Sequence, residues 1–167
     1  MIEFPLLLMF PAAMAFAGAM DFFTMTIPNR VSLALIAGFA VVAAMAGAPW
    51  MLVANHVAAG LLFLGIGIFM FSMGWLGGGD AKLLAAAALW LGFDSLFPYI
   101  TLVTILGGAL AIGLLAFRNI TPPVWLMGQE WALRLHDRRG GIPYGIALAG
   151  AALWVYPNTP WFVAFAT

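Results

Sequence analysis

The chain has 167 residues, of which 65% are hydrophobic and 7% charged, against about 25% charged in a soluble domain. So little polar surface cannot cover a water-exposed globule of this size, so lipid must be the solvent for most of the chain. A formal net charge of zero removes any basic or acidic balance that would point to nucleic acid, and the lack of cysteine excludes disulfides, thiolate metal sites and a cysteine nucleophile.

Charged residues cut the sequence into apolar stretches near the ~20 residues that a membrane helix needs. The first covers residues 4–20. It is preceded only by Glu3 and lacks the basic start of a signal peptide, so it reads as a retained span despite the small-residue run at 15–17. Further spans follow at 31–48 and 57–76. Residues 83–93 are short for a span, but their Leu/Ala richness favours helix. The next spans are 96–117 and a last one that opens at Tyr144 and reaches Val155, or continues past Pro157 to Phe165.

Counting 83–93 as a span puts Arg30, Lys82, Arg118, Arg134, Arg138 and Arg139, all six basic residues, on one side, and Glu3, His56 and Asp94 on the other. Positive residues stay cytoplasmic. The expectation is therefore one all-α polytopic membrane domain over 1–167, with six transmembrane helices and both termini outside. Loop 118–143, opened by Pro122-Pro123 and closed by Gly140-Gly141, carries Val124, Met127, Trp131 and Leu135 near one helical face. That pattern predicts an amphipathic helix in the interface over 124–135, with Arg134, Arg138 and Arg139 against lipid headgroups.

Few residues are able to do chemistry. None of Ser32, Ser72 and Ser95 sits in a nucleophile elbow. His56 and Ser72 bracket one span, about 24 Å apart along it. Both histidines, His56 and His136, read as surface residues, and no zinc-binding histidine pattern exists. Carboxylates remain. Asp21 ends the first span and Asp80 begins the fourth on the same side, so opposite chain directions bring them to one depth. An acid near hydrocarbon is costly and therefore a functional candidate. Gly77-Gly78-Gly79 directly precede Asp80 and permit close approach by another chain. Taken singly, Asp80 also suits a helix N-cap and Asp21 an interfacial loop.

Asp21, then Ile27-Pro28-Asn29, then Gly77-x-Gly79-Asp80-x-Lys82, with Gly78 between the glycines and Pro143-Tyr144-Gly145 opening the last span, together resemble the type IV prepilin peptidases, which are Gly-x-Gly-Asp membrane aspartyl proteases. The resemblance runs in order over residues 21–145. It implies a catalytic pair of Asp21 and Asp80, supported by Ile27, Pro28, Asn29, Gly77, Gly78, Gly79, Lys82, Pro143 and Gly145. It implies no metal and no organic cofactor. It also implies a prepilin substrate cut at the cytoplasmic face of the inner membrane, with the pilus-assembly machinery as a further partner and no nucleic acid. The lack of cysteine departs from the larger members, whose cysteine-pair segment is linked to N-methylation, and resembles the compact members serving tight-adherence (Flp) pili. A small transporter using the acids as a proton relay and a non-catalytic pilus scaffold are the competing readings.

Overall fold

The computed structural model describes residues 3–163 except 124, 127, 139 and 161, with side chains from residue 8 onward. The described residues form, in order, α1 Glu3–Thr24, α2 Asn29–Met45, α3 Trp50–Ser72, α4 Gly78–Phe117, α5 Glu130–His136 and α6 Tyr144–Val155, with a 3₁₀ turn at Tyr156–Asn158. No strand occurs among the described residues. Two helices, Trp50–Ser72 and Gly78–Phe117, are long and apolar enough to cross a membrane, and shorter apolar helices lie at Leu8–Thr24 and Asn29–Met45. Their apolar side chains turn outward: Phe97 is 83% exposed and Trp50 76%. A protein in water would turn such residues inward, so these faces are built for an apolar surrounding.

Helix α4 is 40 residues long and is broken at Gly92, whose φ of 65° and ψ of 172° lie outside helical geometry. Asn55 and His56 from α3 mend the break. His56 Nδ1 lies 2.9 Å from the Leu89 carbonyl, and the Phe93 amide donates to Asn55 Oδ1 at 3.2 Å. These are the backbone groups a helix interruption would otherwise orphan. His56 is only 2% exposed and stacks on Phe39 at 5.6 Å. The surface position expected for it is therefore wrong: a lone histidine in an apolar run gives no sign that a helix end waits for it.

The two ends of α4 meet at one place. Asp80 and the start of α6 are neighbours at its beginning, and at its end Arg118 Nη2 donates 2.8 Å to the Gly141 carbonyl, just ahead of α6. The 78–91 and 93–117 segments thus run in different directions, and the break at Gly92 comes slightly ahead of the boundary expected between residues 93 and 96. Residues 83–92 are buried throughout. Trp90 anchors them, with its ring 5.2 Å from Phe10 and its indole N–H donating 2.8 Å to the Leu35 carbonyl.

A Cβ on Gly92 would stand 2.7 Å from His56 Nε2, and its positive φ disfavours any side chain. Gly92→Ala should therefore destabilise the fold by about 2 kcal/mol or more. Thermal unfolding in detergent measures this, and an unchanged melting temperature contradicts the account of the break.

The 118–143 loop departs from expectation. Its helix is only seven residues, Glu130–His136, preceded by a turn in which the Leu126 amide bonds the Pro123 carbonyl. Val124 and Met127, half of the expected apolar face, lie outside the described residues, as does Arg139. Pro122, Pro123 and Gly128 disfavour helix ahead of Glu130. Arg134 and Arg138 bond protein carbonyls instead of standing free: Arg134 Nη1 donates to Phe23 at 2.7 Å, and Arg138 Nη2 to Arg118 at 3.3 Å.

Candidate active site

Three chain segments meet at Asp21 and Asp80. Helix α1 carries Asp21 one turn before its end, where Met25, in the left-handed region at φ 56°, turns the chain sharply. That conformation costs a non-glycine residue about 1–2 kcal/mol, and it sends the chain into Ile27-Pro28-Asn29. Pro28 is the N-cap of α2. Gly77, extended, is the N-cap of α4, which places Asp80 in its first turn rather than at the cap. Pro143 is the N-cap of α6 and presents the Gly145 amide.

That amide organises the site. Gly145 N–H donates 2.7 Å to Asp21 Oδ2, and Asp80 feels both the Gly145 and Gly77 amides and the charge of Asp21. Both acids are nearly buried, Asp21 at 5% and Asp80 at 8% exposure. Asp80 Oδ1 has no hydrogen-bond partner among the described residues, which is unusual for a buried carboxyl oxygen and leaves it free for another group.

Ile27 explains two of the glycines. A Cβ on Gly79 would come 3.1 Å from Ile27 Cβ, and one on Gly145 would come 2.8 Å from Ile27 Cδ1 and 2.7 Å from Asp21 Oδ2. The isoleucine fills the space that two missing side chains leave, and so packs α4 and α6 around Asp21. Gly77 is similar: its Cβ would stand 2.9 Å from Asp80 Oδ2. Gly78 backs on the Phe71 ring at 3.3 Å. Lys82 Nζ donates 2.8 Å to Asn29 Oδ1, tying the two motif segments on the side of α4 away from the acids. Every residue drawn from the two motifs thus lies at this one end of the fold.

The arginines around the site were not singled out from the sequence. Arg118 is 7% exposed and donates to the carbonyls of Leu135 and Gly141, each at 2.8 Å. Arg134 holds the end of α1 through Phe23, where Phe22 packs on Trp131 at 5.2 Å between ring centres. The loop is thereby fastened beside Asp21. In the sequence Arg118 signalled only membrane orientation, and Arg134 orientation and a headgroup contact.

Residues 8–112, more than half of the chain, match the type IV leader peptidase family. The chain belongs to the type IV leader peptidase family. It is similar to the prepilin leader peptidase/N-methyltransferase of Aeromonas hydrophila, 34% identical over 92 residues, and to that of Aeromonas salmonicida strain A449, 33% identical over 93. Each alignment covers 53% of this chain but only 26% of the relative, so the chain matches about a quarter of those proteins' length. No solved structure matches. Within the family match lie Asp21, Ile27-Pro28-Asn29 and Gly77–Lys82; Pro143 and Gly145 lie beyond it. The leader peptidase family thus accounts for the α1, α2 and α4 parts of the site, while the α6 part rests on the geometry around Gly145.

Proposed function

We propose that this leader peptidase family member is an intramembrane aspartyl endopeptidase that removes the short basic leader of a prepilin of the Flp type. The observation that carries the reading is that Asp21, bonded by the Gly145 amide, and Asp80 are both buried at the start of α6, with one oxygen of Asp80 unpartnered among the described residues. Two carboxyls held this close share a proton. The ionised one takes a proton from water, which attacks the scissile carbonyl; the protonated one hydrogen-bonds that carbonyl and then helps protonate the departing amine. The titration belongs to the pair, and neither acid is assigned the base. Co-expression with a Flp-type prepilin tests this, with processing read as a mobility shift; an intact prepilin would overturn it.

The proposed setting is the inner membrane, with six spans, the acids at the cytoplasmic face and both termini outside. The six basic residues on one side of that arrangement support it. A reporter fused after Thr167 should be active only in the periplasm, and cytoplasmic activity would sink the six-span arrangement.

A further inference from the structure

Helices α2 and α3 both pack on α4 but hardly on one another. Between them runs a cavity of about 1280 Å³, with α4 as its floor. At a helix diameter of 10–12 Å, that volume holds roughly two to three turns of helix. Its lining mixes small residues, among them Ala44, Ala58 and Ala85, which let helices approach closely in lipid, with larger apolar ones, among them Ile36, Leu61 and Leu64. The lining is apolar until its end, where Asn29 and Lys82 stand.

We infer that this groove seats the apolar helix of the prepilin substrate, with the start of that helix at Lys82. The inference rests on the peptidase reading and deepens it. Lys82 lies two residues from Asp80, on the opposite side of the first turn of α4, so a chain leaving the groove there has only the side-chain-free Gly77–Gly79 turn to cross before the acids. A helix that unwinds for cleavage exposes carbonyls that lipid cannot satisfy. The Lys82 ammonium has three donors, one of them given to Asn29.

The test uses the full chain in membranes with a co-expressed Flp-type prepilin. A photo-reactive benzoylphenylalanine replaces Ala44 or Ala58, both exposed in the groove, or Leu115, exposed on another face. These replacements are made in an Asp80→Asn background, so that substrate is retained. Adducts with prepilin at 44 and 58 but not 115 are expected. Adducts only with lipid or with a second copy of this chain, or equal labelling at 115, overturn the inference. In the otherwise unaltered chain, Ala44→Trp and Ala58→Trp should slow processing at least tenfold at an unchanged melting temperature. Full-rate processing by both overturns the groove while leaving the peptidase reading intact. If the unaltered chain does not process the prepilin, the peptidase reading is what fails.

Discussion

Asp80→Asn and Asp21→Asn should each abolish prepilin processing. A positioned acid or base contributes about 10²–10⁴-fold, and the dyad loses both functions when either proton site is gone. The substitutions keep size, and an amide is no harder to insert than a carboxylate. In the Asp21→Asn variant the side-chain amide oxygen can still accept the Gly145 N–H bond that holds α6 to α1, so the fold should survive. The double variant should be no slower than either single one, because groups acting as a unit are not additive. Asp94, exposed near the Gly92 break and far along α4 from Asp80, is the control: Asp94→Asn should process normally. Normal processing by a folded Asp80→Asn variant would end the protease reading. A dyad sharing one proton also requires a bell-shaped pH profile, falling on the acid side when both carboxyls are protonated and on the alkaline side when both are ionised.

The second large effect is expected at Gly145, where the family match gives no guidance. An added methyl would meet Asp21 Oδ2, Asp21 Cβ and Ile27 Cδ1 at 2.7–2.9 Å. Either α6 retreats, withdrawing the amide, or Asp21 does. A displacement of ~1 Å at a catalytic group costs about 10²-fold, so Gly145→Ala should lower kcat by about that factor while the melting temperature falls only modestly. Gly141→Ala, whose Cβ meets nothing within 4 Å, should be close to neutral. Equal activity in the two variants would remove Gly145 from the site.

The sequence was most legible where the physics is one-dimensional. An uninterrupted apolar stretch between charges has to be helical, so the spans expected at 31–48, 57–76 and from 144 fall on α2, α3 and α6, with α3 starting earliest against expectation, at Trp50. Asp21 and Asp80 could be paired because antiparallel spans return to the same depth. What failed depended on specific three-dimensional partners. Around a helix that is apolar on every side, periodicity cannot mark Gly92 as a break or His56 as its cap. Met25 adopts a left-handed turn that composition would give to glycine. Around α5, Arg118 and Arg134 capture backbone carbonyls, contacts that no spacing encodes. Gly145 entered only through resemblance; its hydrogen bond to Asp21 gives that resemblance a physical reason.

The break at Gly92 has a further consequence for the bilayer. The 78–91 segment is only about 21 Å long, and the 12-residue α6 about 18 Å, against roughly 30 Å of hydrocarbon. Helices α1 and α3, at 22 and 23 residues, reach about 33–35 Å. On the membrane reading, the two helices that carry Asp80 and the Gly145 amide are too short for the layer their neighbours fit. The lipid sheet must dip toward them, or the acids must sit beneath the headgroups in a water-filled notch. Either way the dyad meets water without leaving the membrane, and the rate of the chain becomes a gauge of membrane thickness: lipids with longer acyl tails should slow it, and shorter ones should not.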